Sequence, residues 1–413
     1  MSRRVVFLAS GTRGDVQPCV ATAMLLQRRG VDVRIATHIE HRELVERHGI
    51  AFAALAANPT AWLAANPTLL DGSVSGVAFR NTFRFFSSIP GRTRALLETA
   101  ERACADASIV VGGLATLWAG DVGDRLRVPV AWIFLQPLTP TRAFASSVWP
   151  WGWPRASSYS YVDAAVSGFV TASVNAWRRA RALHPVREGL LHRAHRDPDL
   201  VVNAFSRALV PPPSDWPQPV HPSGFCFLPS APELDRGLRE WIGASGDVVY
   251  IGAGAGSAGR PARALSWLHE MLLRRGLRAV VNLGVADVPA AFRERVRCVR
   301  DVSHASLFPQ MRCVIHHGGA GTTGEALRSG APSVIAPTFA DQHFWARRAC
   351  AAGVAPAPVS AHADRREWHA RVEHALDDCA VRDRVKSAAA VVRDENGAAR
   401  AVERIIAALD RRR

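Results

Sequence analysis

The sequence predicts an α/β protein of two Rossmann-like domains facing each other across a cleft. Three observations predict it. Apolar, strand-like runs alternate with amphipathic, helix-like segments along the first half of the 413 residues. The same rhythm starts again in the second half. Between the halves lies "VPPPSDWPQPVHPSGF" (210–225), whose prolines lack amide donors and oppose regular structure. Length agrees, because domains usually run to about 100–200 residues. With 48% hydrophobic and 21% charged residues, the chain can build large cores.

The strands are read in order. "VVFLAS" (5–10), "VDVRIAT" (31–37), "AFAAL" (51–55), "SIVVGG" (108–113), "PVAWIFL" (129–135) and "LVVNAF" (200–205) fall in an N-terminal domain, 1–209. A linker region, 210–245, follows. "VVYIGAGAG" (248–256), "RAVVNLG" (278–284), "CVRDV" (298–302), "CVIHHGG" (313–319) and "PSVIAP" (332–337) belong to a C-terminal domain, 246–395. The last segment, 396–413, contains "AARAVERIIAALDRRR", which has the spacing of an amphipathic helix. Ligands of open parallel sheets bind beyond the carboxyl ends of the strands. The residues of interest are therefore those just after strands.

Composition excludes several classes. The net charge is +15, but Lys386 is the sole lysine and the arginines are scattered, with no basic block interleaved with aromatics. Such a bias can come from genomic base composition or serve attraction to anionic ligands or an anionic membrane face, and no nucleic-acid partner is expected. Seven cysteines without CxxC spacing read as small core residues, not as disulfides or a zinc site. The start, "MSRRVVFLAS", has an apolar run of about six residues, short of the roughly 7–15 of an export signal. No apolar run approaches about 18 residues, so no spanning helix is expected. The expected location is the cytoplasm, with peripheral contact at the inner membrane face as its variant.

Chemistry concentrates in "HHGGAGTTGEAL" (316–327). Gly318, Gly319 and Gly321 leave backbone N–H groups open to an anion, and a helix starting near Thr322 points its positive end there. Thr322 and Thr323 add hydroxyl donors and His317 an imidazole. This reads as a phosphate or diphosphate cradle without a Walker lysine; the other reading is a tight turn whose glycines only permit helix–sheet packing. Asp341 and Gln342 follow the next strand, where a carboxylate beside an amide can bind vicinal hydroxyls or simply cap a helix.

Taken together, "HHGGAGTTGEALRSGAPSVIAPTFADQHFWARR" resembles the nucleotide-sugar signature of the inverting GT-B glycosyltransferases. "GTRGDVQP" (11–18), "DWPQPVHPSGF" (215–225) and "SHASLFP" (303–309) resemble the sterol, antibiotic and rhamnolipid branch, and the likeness runs through most of the chain. The resemblance implies a GT-B fold whose last helix crosses back to the N-domain. It implies that His317, Gly318, Gly319, Gly321 and Thr322 hold the donor diphosphate, with Gly254 as a further backbone contact. Glu325 would hold the ribose, which favours UDP over dTDP, and Asp341 and Gln342 would hold the sugar. The plant branch stacks its base on a tryptophan, but "RDVSHAS" has no aromatic. The base would then be read by backbone around Val302, with His304 either a donor contact or a surface histidine. Relatives place a serine after the glycine of the first C-domain turn; here Ala255 stands there and serine is delayed to Ser257.

Transfer needs a base opposite the cradle. Asp15 lies in the first strand's exit turn and matches the branch's catalytic aspartate; its alternative is a helix cap. Thr12 and Arg13 are candidate donor contacts beside it. For the acceptor, Trp149, Trp151, Trp153, Tyr159 and Tyr161 stand among prolines, glycines and serines. They read as loop aromatics lining an apolar pocket, meeting a membrane interface, or packing on one another as a lid.

The expectation is a hexosyltransferase acting on a lipophilic small-molecule hydroxyl such as a sterol, polyketide or lipid hydroxy acid. The nucleotide sugar serves as substrate, without a cofactor and without a metal, the donors around His317 meeting the charge of the diphosphate. The rivals are a nucleotide-sugar epimerase or hydrolase on the same fold, and a non-catalytic sugar-nucleotide or lipid-binding protein. A dinucleotide oxidoreductase fits poorly, since the first strand is not followed by GxGxxG.

Overall fold

The computed structural model describes residues 3–57, 90–149, 152–229, 232–244, 247–252, 270–282, 294–300, 302–338, 340–360 and 363–411. The N-terminal strands are β1 (Arg4–Leu8), β2 (Asp32–Thr37), β3 (Ala51–Ala54), β4 (Ile109–Gly112), β5 (Val130–Phe134) and β6 (Val201–Asn203). They form a parallel sheet in the order β3-β2-β1-β4-β5-β6. The C-terminal strands are β7 (Val248–Gly252), β8 (Arg278–Asn282), β9 (Val296–Cys298), β10 (Cys313–His316) and β11 (Ser333–Ile335). Their order is β11-β10-β7-β8-β9, again all parallel. Val5, Val6, Phe7 and Leu8 of β1 are all buried, as expected of strands covered on both faces.

Strand order reverses between β1 and β4 in one sheet and between β7 and β10 in the other. Open α/β sheets bind ligands at such switch points. The helices that matter are α1 (Arg13–Arg28), α2 (Ser157–Arg179), α3 (Ala320–Ser329), α4 (Gln342–Ala351), α5 (Cys379–Asp394) and α6 (Gly397–Asp410). α1 leaves the exit of β1, and α3 leaves the exit of β10.

One apolar cluster joins the two halves, from Val6, Phe134 and Phe205 through Trp216 and Phe225 to Ile335, Trp345 and Val385. The Phe205 and Trp345 rings lie 5.9 Å apart, and those of Phe144 and Phe344 5.5 Å. Arg348 Nε on α4 donates to the Leu209 carbonyl at 2.7 Å. α4 therefore ties the exit of β11 to the N-terminal half. α6 crosses back as expected: Ala401, Val402 and Ile405 share a core with Val16 and Val20 of α1.

Two sequence readings shift. The run taken as a strand at 298–302 pairs two residues earlier, as Val296–Cys298, an edge strand with Arg297 and Cys298 exposed. The span 210–245 holds a helix, Arg236–Gly243, capped by Asp235, which accepts from the Leu238 amide at 3.1 Å. Its prolines do leave the start irregular, but Trp216 and Val220 are buried there, so this connector is part of the core.

Candidate active site

The N-terminal turn runs Ser10–Gly11–Thr12 into α1. Asp15 sits at the third position of that helix. Its Oδ2 accepts from the Thr12 amide at 2.7 Å and from the Thr12 hydroxyl at 3.1 Å. Neither bond uses Oδ1. Gly11 has φ +130°, and a Cβ there would stand 2.3 Å from Asp15 Oδ2. The turn thus folds the carboxylate back over a residue that must be glycine. Burial raises the Asp15 carboxyl above its ordinary value, while the Thr12 bonds and the nearby His41 pull the other way. Arg13 is exposed, with Nε 3.3 Å from Gln17 Oε1, and Thr12 is engaged by Asp15.

The C-terminal turn is built differently. Gly319 caps α3 without a side-chain bond, and no acidic residue occupies the first turn. Gly318 adopts φ +90° and packs against Ile335, where a Cβ would lie 2.7 Å from Cγ2. A Cβ at Gly319 would meet His317 Nε2 at 2.7 Å, so the imidazole lies over the glycine backbone. Among the described residues, nothing lies within 4 Å of a Cβ at Gly321. That side of the turn is open. Thr322 is half-buried, while the Thr323 hydroxyl donates to the Gly319 carbonyl at 2.9 Å. Burial lowers the His317 imidazole to about 4, so near neutral pH it is uncharged and carries one N–H.

Asp341 is the N-cap residue of α4 but makes no side-chain cap bond; its Oδ2 accepts from the Trp345 indole at 2.8 Å. Burial pushes its carboxyl up to about 6, and the charge of Asp15 adds to the rise. The two carboxylates are thus electrostatic neighbours contributed by opposite halves. Gln342 Oε1 accepts from the amide and hydroxyl of Thr338 at 2.8 and 2.9 Å. Glu325, buried one turn beyond Thr322, pairs with Arg328 at 2.7 Å. Val302 is half-buried against the cluster that holds Tyr250 and Phe308. Gly254 and Trp151 lie outside the described residues.

His304 stacks on Phe308 with ring centroids 4.4 Å apart, and its Nε2 lies 3.2 Å from the Tyr250 hydroxyl. It is a packed residue, not a bare surface one. Tyr250 escaped sequence reasoning because it lies inside an apolar strand. So did His316, whose Nδ1 accepts from the Gly318 amide at 3.1 Å and pins the glycine turn. His38 and His41, after β2, give no local signal, because their partners lie 28 and 30 residues away in the Asp15 turn.

The aromatic segment departs from expectation. Tyr159 and Tyr161 belong to the first turns of α2, not to a loop. Tyr159 is buried, Tyr161 is 54% exposed and stacks on Trp149 at 5.7 Å, and Trp153 is 79% exposed. Helical packing of Tyr159, Val162, Val166 and Val170 on the core divides the group between interior and surface. Tyr159 thus packs into the core, apart from the exposed Tyr161 and Trp153.

Comparison with known proteins agrees with this architecture. Residues 5–130 match the family described as "Glycosyltransferase family 28 N-terminal domain", and 278–409 match "Erythromycin biosynthesis protein CIII-like, C-terminal domain". A sterol 3-beta-glucosyltransferase of Arabidopsis thaliana is 31% identical over 423 residues, covering 97% of this chain and 64% of its own. A second from the same plant is 31% identical, covering 97% and 67%. One from Cryptococcus neoformans is 28% identical, covering 97% and 27%. The chain thus spans under two thirds of the first plant relative and about a quarter of the fungal one. Among solved structures, the glycotransferase of kitacinnamycin aligns with TM-score 0.74 at 17% identity, covering 98% of this chain and 99% of that one. The calicheamicin glycosyltransferase aligns with TM-score 0.70 at 18%, covering 99% of each. With its two facing parallel sheets, its crossing helix and these relatives, the chain belongs to the GT-B glycosyltransferase family.

Proposed function

We propose that this chain is an inverting glycosyltransferase. It moves a hexose from a nucleoside diphosphate sugar, with UDP favoured over dTDP, to a hydroxyl of a lipophilic acceptor such as a sterol, polyketide or lipid hydroxy acid. The observation that carries the reading is a pair of unlike turns, one at the switch point of each sheet. A half-buried carboxylate stands at the switch point of one sheet, and an uncapped glycine turn at that of the other.

In this reading the acceptor hydroxyl bonds Asp15 through Oδ1. Its oxygen attacks the anomeric carbon as the bond from that carbon to the diphosphate oxygen breaks, and its proton passes to Asp15. Charge grows on the leaving diphosphate, where the first N–H groups of α3 and the N–H of His317 receive it. Asp341 and Gln342 hold sugar hydroxyls, and Glu325 the ribose. The names of the sterol-acting relatives support a lipophilic acceptor.

The test begins with thermal melting in UDP, dTDP, ADP and NAD. A ligand at a hundredfold its dissociation constant adds about 2.7 kcal/mol of stability. A UDP response above that of dTDP is expected, followed by glucoside formation from UDP-glucose and a sterol in detergent, read by mass spectrometry. Sugar release without acceptor would identify a hydrolase instead. No response to either pyrimidine nucleotide would overturn the reading.

A further inference from the structure

The turn that carries Asp15 is held from behind by two histidines. β2 pairs in parallel with β1, so the exits of the two strands lie side by side, joined by the Ala9 amide donating to Ala36 O at 3.0 Å. The chain leaving β2 carries His38 and His41, 1% and 9% exposed. His38 Nε2 lies 2.9 Å from Ser10 Oγ, and His41 Nε2 lies 3.1 Å from the carbonyl oxygen of Gly11. A carbonyl only accepts, so His41 donates. Consecutive residues of the base turn are thus each gripped by an imidazole.

The second contact matters more. The Gly11 carbonyl and the Thr12 amide are the two ends of one peptide unit. Its oxygen accepts from His41, and its N–H donates to Asp15 Oδ2 at 2.7 Å. A peptide unit is planar and rigid, so fixing its oxygen fixes the direction of its N–H. Hydrogen bonds in series also polarise one another, so a donor on the oxygen strengthens the N–H at the other end. Gly11 is what lets the carboxylate fold back this closely, because a Cβ there would stand 2.3 Å from Asp15 Oδ2.

We propose that His41 is a positioning residue for Asp15, acting through the Gly11–Thr12 peptide without touching substrate. This rests on the assignment of Asp15 as the base. Removing His41 lets the peptide rotate and the carboxylate drift. A misplacement of about 1 Å can cost on the order of 10²-fold in rate. Glutamine places an N–H donor where His41 Nε2 stands, whereas asparagine falls one methylene short.

The experiment uses the full chain with His41→Leu, His41→Gln, His41→Asn, Asp15→Asn and the double variant His41→Leu/Asp15→Asn. Transfer from UDP-glucose to a sterol in detergent is followed as kcat and donor KM, and crystal structures of wild type and His41→Leu are compared. The expected result is a fall in kcat of about 10–100-fold for His41→Leu, at unchanged donor KM and UDP melting shift. His41→Gln stays within about threefold of wild type, and the double variant is no slower than Asp15→Asn alone. A kcat unchanged in His41→Leu, or a double variant slower by the product of both losses, overturns the proposal. If His41→Leu does not fold, His41→Asn against His41→Gln carries the same contrast. If wild type transfers nothing, the reading of the function fails on its own. The crystal structures then decide this inference, since an Asp15 carboxylate unmoved in His41→Leu refutes it and a displaced one sustains it.

Discussion

Two turns of the same architecture stand one in each half of this molecule, and they are finished in opposite ways. Both lead a buried parallel strand through glycine into a helix N-terminus. At α1 the chain supplies its own anion, with Asp15 taking the amide and hydroxyl of Thr12. At α3 it supplies none, since Gly319 offers no capping side chain and no acid stands in the first turn. A helix start left uncapped exposes N–H groups that need a partner. The first turn stores a negative charge, and the second is ready to accept one. The difference teaches that the same geometry serves a base or a leaving group according to whether the sequence fills its own anion site.

The largest expected effect comes from removing the charge on the filled side. Asp15→Asn keeps an oxygen for the Thr12 amide, so the turn should hold while proton acceptance is lost. A general base contributes about 10²–10⁴-fold, so kcat should fall on the order of 10³-fold with the UDP melting shift intact. A loss of UDP binding instead would mean that the two turns are not separate in function.

The comparison was only half legible in the sequence. Glycine, histidine and threonine crowd into residues 316–323, so the open turn announces itself locally. The strands were legible because buried parallel strands are near-continuous apolar runs. The filled turn showed Asp15 with Thr12 and Arg13 beside it, but not what holds it in place. Its supports, His38 and His41, lie 28 and 30 residues from their partners, and only the register of β1 against β2 brings them together. Tyr250 was hidden likewise, since its role depends on His304, 54 residues away. The aromatic segment misled because proline, glycine and serine around Trp149–Trp153 suggested a loop throughout, whereas the pattern Tyr159, Val162, Val166 and Val170 is a buried helical face.

A second effect follows from the carboxylate that faces Asp15. Asp341 titrates near 6 in the fold, against an ordinary 3.8, chiefly through burial and then through the charge of Asp15, with the Trp345 bond opposing. The folded state therefore binds more protons than the unfolded one between these values, and stability falls as pH rises through that window. Above about pH 6 the cost is complete, at most about 3 kcal/mol. Asp341→Asn keeps an acceptor for Trp345 and removes this cost. Its melting temperature should exceed wild type at pH 8 and approach it at pH 4. Equal curves at both values would show that burial of Asp341 carries no charge penalty. Asp15→Asn should lower the pH at which Asp341 titrates, a direct reading of the coupling between the two halves.

The finest test separates glycines that look alike. Gly318 has φ +90° and Ile335 against it, so Gly318→Ala should cost about 1–3 kcal/mol of stability through strain and overpacking. Gly321 meets no described residue where a methyl group would stand. In the first turn of α3, Gly321→Ala should leave stability unchanged or raise it by up to about 1 kcal/mol. If that is where a diphosphate lies, the same methyl group should shrink the UDP melting shift. Melting each variant with and without UDP reads both quantities together. A Gly321→Ala protein as stable as wild type that still binds UDP in full would remove the anion from the open turn, and with it the contrast between filled and unfilled helix starts.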